Sequence, residues 1–585
     1  MLDPRLRAPL LLGLGALLPL LRVLPDPTHR LPGTELSDVF KHTWSYWHAT
    51  QVLGSPRTEL LNHSEGGLLL DLMWGPSLLM SPITALLGPV LAANLWIWLS
   101  LTMVGLASWY LARQLVGEGP GALLGGLAAQ TALPLMGYPL LSGVHERLAV
   151  WLFPVLVSCL FVARERGGWR APLIAGLSLF WVTLGCQAYG LYAAGMLLLG
   201  LPLWLGHPRR WWHRFKRLAP TGLALLAAAG LAFWLCWSLT VHPEALVPQP
   251  GRLSGEGPRL VLESASLAAM LNPAVARATQ PTLGGDELYV LSYLGWASLI
   301  LAVVGSALHR GERRWWVRGS TALALLMALF ALGPRFTVGG QGFMDPLFLA
   351  VAALLPYYGE NPPVWQHVLA VAPLLAPGLA AAVQALPRWR WPAVVAALAL
   401  ILAERAWAFP KSLVLPVAEA RVPALYEAIG EEGAVAEVPR FYLDHTTTHG
   451  GLFLAQTVHE QPVSFTIDIG HSPWDSYLPL ARGVSGDWRQ ATSCLREAGF
   501  RYLVLHRDHY SRSEQAERAL SELARHATLL KDDGTRALFD LGPATGPLRL
   551  AGPPVSRSSM ELVGSGLIGR PVDRIEPAWE RCPAQ

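Results

Sequence analysis

Glu35-Leu-Ser-Asp38-Val-Phe-Lys-His-Thr-Trp-Ser-Tyr-Trp-His48 sets a carboxylate at the head of an aromatic-rich amphipathic segment, just after the first hydrophobic run. Whether this stretch caps a surface helix or opens a reaction site depends on which side of a membrane it occupies. That in turn depends on counting the apolar runs that follow.

Composition points to a membrane. The chain has 585 residues, 52% hydrophobic and only 15% charged, with 24 Trp. Soluble proteins carry roughly 25% charged residues. The net charge of +4 does not indicate a nucleic-acid partner, because the basic residues fall in short clusters between apolar runs, as in cytoplasmic loops. The five cysteines, at 159, 186, 236, 494 and 582, show no metal-type spacing.

A membrane-crossing helix needs about 20 mostly apolar residues. About eleven runs approach this: 10–24, 90–111, 121–141, 148–162, 173–188, 191–205, 218–239, 288–307, 321–332, 368–386 and 393–407. Basic clusters at 164–170, 209–217, 310–318 and 388–390, with Arg5, Arg7 and Arg113, occupy every second connection. The positive-inside rule then puts the N-terminus in the cytoplasm and the stretch from Glu35 outside. Residues 1–409 form the transmembrane domain. Outer segments 38–50, 66–87 and 344–358, apolar or amphipathic but too short or interrupted to span, read as interfacial or re-entrant helices.

After Phe409 the apolar runs shorten to strand length at 434–438, 452–455, 501–505 and 536–540, with helical patterns at 488–498 and 513–527. Residues 410–545 therefore read as a small extracytoplasmic α/β domain, and 546–585 as a loosely ordered Pro/Gly-rich tail. Outside the cytoplasm, Cys494 and Cys582 could pair in a disulfide. No Walker-type loop or dinucleotide fingerprint occurs, which argues against ATP-driven transport within the chain.

Ionisable residues at outer helix ends are costly near lipid and so are candidates for function. Asp38 could serve as a general base or a divalent-cation ligand, with Glu35 one turn earlier if the helix extends that far. Alternatively, Ser37 or Asp38 caps the helix. His145-Glu146-Arg147, in a short outer loop, offers an acid/base group, a second carboxylate and a phosphate-binding cation. Asp71, in an apolar stretch, wants a partner such as Arg147 or Arg57. Arg335 and Arg259 are outward cations able to hold phosphate. In the outer domain, Asp444-His-Thr-Thr-Thr-His449 and His506-Arg-Asp-His509 invite a metal reading without matching a tight motif.

This layout resembles the GT-C superfamily of polytopic glycosyltransferases, especially the bacterial branch that includes YfhO-like proteins. The resemblance rests on Asp38-Val-Phe-Lys-His-Thr-Trp-Ser-Tyr-Trp47, Leu78-Leu-Met-Ser-Pro-Ile-Thr-Ala-Leu-Leu87, Ala92-Ala-Asn-Leu95 and Ser142-Gly-Val-His-Glu146. It implies a mainly α bundle in the bacterial cytoplasmic membrane that moves a sugar from a polyprenyl-phosphate-type carrier to a glycan, lipid or protein acceptor at the outer face. Asp38, His145 and Glu146 would be catalytic, and Glu35, Arg147, Asp71 and Arg335 would bind substrate. A cation such as Mg2+ or Mn2+, if the reaction needs one, would sit on Asp38 and Glu146. A transporter or flippase of lipid-linked glycans, and a non-catalytic envelope-biogenesis protein, are the alternatives.

Overall fold

Every apolar run expected to cross the membrane overlaps a helix. A computed structural model of the chain describes residues 4–35, 37–51, 57–58, 60–61, 67–68, 74–206, 209, 211–240, 267–274, 292–333, 335–338, 341–344, 348–350, 364–430, 432–439, 450–464, 488–510 and 512–545. In chain order come α1 (Pro4–Gly15), β1 (Arg30–Pro32), α2 (Val39–Gln51), a hairpin of β2 (Arg57–Thr58) and β3 (Gly67–Leu68), α3 (Trp74–Leu87), α4 (Pro89–Val116) and α5 (Pro120–Gln130). A π-helical turn (Met136–Leu141) and a 3-10 segment (His145–Trp151) lead into α6 (Leu152–Glu165). Then follow α7 (Arg170–Gly185), α8 (Gln187–Leu199), α9 (Trp211–Thr240), α10 (Trp296–Leu308), α11 (Arg314–Phe330), a hairpin of β4 (Arg335–Val338) and β5 (Gln341–Met344), α12 (Val371–Gln384) and α13 (Arg390–Ala408).

Among the described residues four helical segments are long and apolar enough to cross a membrane: Pro89–Val116, His145–Glu165, Gln366–Gln384 and Arg390–Ala408. The protein is a multi-pass membrane protein. The segment ending α12 is the bundle's inner pillar, 89% buried against 22% for α13, whose Val395, Leu400 and Trp407 are exposed. α12 packs on α4, α5, α10 and α11. Small residues let the axes close in: a Cβ at Gly121 would stand 2.6 Å from the Ala380 carbonyl, and one at Gly125 2.8 Å from that of Ala376. Close backbone approach of this kind is how helices pack where lipid removes the hydrophobic drive.

The basic clusters gather at one end of this bundle. Arg164, at the end of α6, donates to the Leu203 carbonyl (2.8 Å) and lies over Trp316 (4.9 Å), while Arg217 donates to the Arg164 carbonyl (3.2 Å). Arg313 donates to the Gln114 carbonyl, and Gln384 to that of Val116 (3.0 Å). His145 begins the same helical segment that Arg164 ends, so the His145 loop marks the opposite face of the bundle.

On that face the chain builds its second unit from β6 (Val417–Glu419), β7 (Ala434–Val438), α14 (Gly450–His459), α15 (Trp488–Glu497), β8 (Phe500–His506), α16 (Ser513–Leu523), β9 (Thr528–Asp532) and β10 (Arg536–Asp540). Its sheet runs β7-β8-β10-β9, with β7 and β8 parallel and the other pairs antiparallel. One face, including Val438, Leu503, Leu505 and Phe539, packs on α15 and α16; the other, with Val435, Val504 and Leu538, joins a core containing Tyr426, Phe453 and Trp44. Burial on both faces explains why β7, β8 and β10 read as continuous apolar runs.

Three expectations change. Residues 452–455, expected as a strand, lie within α14; a short apolar run does not distinguish a strand from a buried helix turn. β9 escaped notice because all five of its residues are exposed, so no burial period marks this edge strand. Helix α2 is present, yet it does not lie with one face in lipid: Val39 to Ala49 are all buried. It is held between α3 and α4 on one side and α14 on the other, and β1 pairs antiparallel with β6 beside it. Segment 66–87 resolves into β3 and α3, whose Leu86 and Leu87 are exposed. Most of 344–358, and the tail 546–585, lie outside the described residues. Cys494 is disulfide-bonded.

Candidate active site

Two loops meet at the head of α2. The Asp38 amide donates to the Ser142 carbonyl (3.0 Å), and the Asp38 carbonyl accepts the first helical bond from the His42 amide (3.0 Å). Asp38 thus stands at the helix N-cap position, where the helix dipole favours a carboxylate. Gly143 makes the approach possible. Its φ is +70°, and a Cβ there would overlap the backbone of Val39.

The i+3 and i+4 neighbours of Asp38 complete the site. Lys41 and His42 share its helix face; both are buried, as are Asp38, His145 and Glu146. Glu146 binds on two sides: Oε2 lies 3.3 Å from His42 Nδ1, and Oε1 lies 3.3 Å from Arg147 Nε. The rings of His42 and His145 stand 6.0 Å apart. Arg147 donates from Nη1 to Cys186 Sγ (2.7 Å), and its carbonyl accepts from the Tyr189 hydroxyl (2.6 Å). Tyr138, from the π-helical turn, lies within the fields of Arg147, Glu146, Asp38 and Lys41 together. The cluster reaches inward through Tyr192, whose hydroxyl donates to Gln366 Oε1 (2.9 Å) and whose ring meets His367 at 4.4 Å.

Asp38, His145, Glu146 and Arg147 therefore come together. Glu35 does not join them. It precedes the helix, is exposed, and accepts a long bond (3.4 Å) from the Glu419 amide; α2 starts only at Val39, so the shared helical face expected for Glu35 and Asp38 does not exist. Asp71, Arg259 and the side chains of Arg57 and Arg335 lie outside the described residues, with Arg335 placed only by its backbone in β4. Lys41, His42 and Tyr138 were missed in the sequence. The first two carried a usable signal in their spacing from Asp38, and Tyr138 carried none.

The donor set does not fit a divalent cation between Asp38 and Glu146. Glu146 already faces a guanidinium and an imidazole, and Lys41 stands less than one turn from Asp38. A cation cage is built from oxygen ligands without competing positive charge. Chemically the cluster offers a carboxylate near buried ammonium and guanidinium groups, an arrangement suited to proton removal beside a developing anion.

No family model matches the sequence, and no curated protein does. Solved structures do. ArnT from Cupriavidus metallidurans bound to undecaprenyl phosphate aligns over 94% of this chain and 99% of its own, with 12% identity and a TM-score of 0.50; its apo form reaches 0.51. The arabinofuranosyltransferase AftD from Mycobacteria aligns over 92% of this chain at 16% identity and a TM-score of 0.55, the match spanning 42% of AftD. These are GT-C glycosyltransferases. The chain is a membrane protein with the GT-C superfamily fold, and the likeness extends along nearly its whole length.

Proposed function

We propose that the protein is a glycosyltransferase of the bacterial cytoplasmic membrane. In this reading it moves a sugar from a polyprenyl-phosphate-type carrier to an acceptor at the outer face. The observation that carries the reading is the docking of Asp38 on the Ser142–Arg147 loop, which gathers carboxylates and cations at one end of a GT-C bundle. Buried charge at such a depth is costly and is kept where it serves a site. ArnT, similar over its whole length, was solved with undecaprenyl phosphate bound.

The basic end of the bundle is the cytoplasmic one, with the N-terminus there and the C-terminal unit outside. The Cys494 disulfide is in keeping with an oxidising compartment.

In the transfer step Asp38 takes the proton of the acceptor hydroxyl, whose oxygen attacks the anomeric carbon as the bond to the carrier phosphate breaks. The electron pair leaves with the phosphate, and Arg147 and Lys41 stabilise its charge. Glu146 holds Arg147 and His42 in place, and His145 packs beside them. These resident cations supply the charge for which a divalent ion would otherwise be needed.

Purified protein in proteoliposomes, given a panel of polyprenyl-phosphate-linked sugars together with hydroxyl-bearing glycan, lipid and peptide acceptors, should release free polyprenyl phosphate. Asp38→Asn should lower kcat at least about 100-fold, the usual worth of a positioned base. Undiminished turnover in a folded Asp38→Asn variant rejects the assignment, and movement of lipid-linked sugar across the bilayer without turnover makes the protein a flippase.

A further inference from the structure

The C-terminal unit contains a second polar cluster that the transfer chemistry does not use. At the end of β8 the chain turns into a single 3-10 turn, Arg507–His509. This brings His506, Asp508 and His509 together, with one ligating atom from each lying within 4.8 Å of the others. His506 is buried, Asp508 exposed and His509 half-buried, so the cluster runs from the sheet interior to solvent.

Its inner member is built as a ligand. His506 Nε2 is held by Glu437 Oε2 on the neighbouring strand β7 at 2.6 Å, and the Tyr426 hydroxyl donates to both oxygens of that buried carboxylate (3.3 and 3.4 Å). His506 Nδ1, also buried, has no hydrogen-bond partner. A carboxylate gripping one imidazole nitrogen fixes the tautomer and makes the other nitrogen a better donor to a metal. His509 contacts the Pro439 carbonyl through Nδ1 (3.3 Å). Arg507, between the two histidines in sequence, is drawn away by Asp532 and Glu517. The field of Arg536 at His509 is opposed by that of Asp508.

We propose that His506, Asp508 and His509 bind one divalent transition-metal ion of the zinc class, with Glu437 orienting His506. Two imidazoles and a carboxylate suit such an ion and are poor ligands for Mg2+. The His506 and His509 rings now stack with centroids 4.6 Å apart. Bonds of about 2.0–2.1 Å require the donors to close to roughly 3.4 Å, so the His509 ring turns on its solvent-facing 3-10 segment to meet the ion. Three protein ligands leave one position for water.

Full-length protein in detergent, stripped by chelator and titrated with Zn2+, tests this by calorimetry and by the visible spectrum of its Co2+ form. One ion per chain is expected, with Mg2+ failing to compete. Asp508→Asn and His509→Ala, which leave the buried core intact, should each weaken Zn2+ binding at least tenfold, and Glu437→Gln about tenfold. His29→Ala, at an exposed histidine of the membrane unit, should leave it unchanged. The absence of saturable binding overturns the proposal, as does full Zn2+ affinity in the Asp508→Asn/His509→Ala double variant. Neither readout depends on sugar transfer.

Discussion

His42 Nδ1 and Glu146 Oε2 stand 3.3 Å apart, and both side chains are almost wholly withdrawn from solvent. One residue comes from α2 and the other from the loop before α6, so this contact ties the two segments together. Glu146 also faces Arg147, and Lys41 lies buried near by. Glu146→Gln keeps the shape and removes a charge that meets both His42 and Arg147. Losing one partner of a buried ion pair costs about 3–5 kcal/mol, because the other charge stays buried uncompensated. The variant should unfold at clearly lower denaturant concentration, and the proposed transfer should slow more than tenfold. Wild-type stability in Glu146→Gln would mean that the contact holds nothing together.

The approach of these loops rests on Gly143, with its φ of +70° and the Val39 backbone where a side chain would begin. Alanine there meets an unfavourable backbone region, about 1 kcal/mol in itself, and must also push the loop off α2. Gly143→Ala should destabilise the protein by more than that 1 kcal/mol and displace the Asp38 amide from the Ser142 carbonyl. Loss of protection at the Asp38 amide in hydrogen exchange measures the displacement; unchanged exchange with unchanged stability rejects it.

Charge and hydropathy made the bundle legible, because a lipid solvent forces long apolar helices and the clustered arginines mark one end. The meeting of Asp38 with Glu146 was legible only as loop order. What joins them is the backbone bond at Ser142 and the close packing at Gly143, which no local pattern announces. The burial of α2 was hidden for a different reason. Lys41, His42 and His48 give it a polar face that looks solvated, whereas that face is covered by the second loop and by the C-terminal unit, elements more than 90 residues away. Residues 452–455 were misread because four apolar residues fit a strand and a buried helix turn equally well.

Burial holds two histidines outside the bundle neutral. His48, stacked on Trp44 at 4.7 Å, is pushed down to about 4. His459, stacked on Tyr426, is also lowered to about 4, burial outweighing the opposing field of Glu437. Unfolded, each takes up its proton near 6.5. Between pH 6.5 and 4 the unfolded chain therefore binds more protons, so stability falls as the pH drops through that window and is flat above it. The loss is up to about 3 kcal/mol per histidine. Thermal unfolding from pH 8 to 4 should show this decline, and His459→Gln should reduce it by about half, His48 supplying the rest; an equal slope in the variant would remove His459 from the account.

Trp44 and Gln456 carry the link between α2 and the C-terminal unit. The indole N–H donates to Gln456 Oε1 (2.9 Å), while Gln456 Nε2 donates to the carbonyls of Leu60 (2.7 Å) and Gln461 (3.0 Å). Gln456 is fully buried, so Gln456→Ala strands an indole N–H and two carbonyls away from water. Each unsatisfied group costs about 1–3 kcal/mol. The effect should not stop at stability, because Trp44 lies on the same helix as Asp38, less than two turns on. A loosened α2 moves the proposed base relative to Arg147, and small misplacements of reacting groups are expensive in rate. Gln456→Ala should therefore lower kcat in protein that remains folded and speed exchange of the α2 amides. Gln456→Glu, which keeps the acceptor for the indole, should restore part of the α2 protection. Should α2 exchange as slowly in Gln456→Ala as in the wild type, the C-terminal unit does not hold the helix, and the packing of α3 and α4 alone positions Asp38.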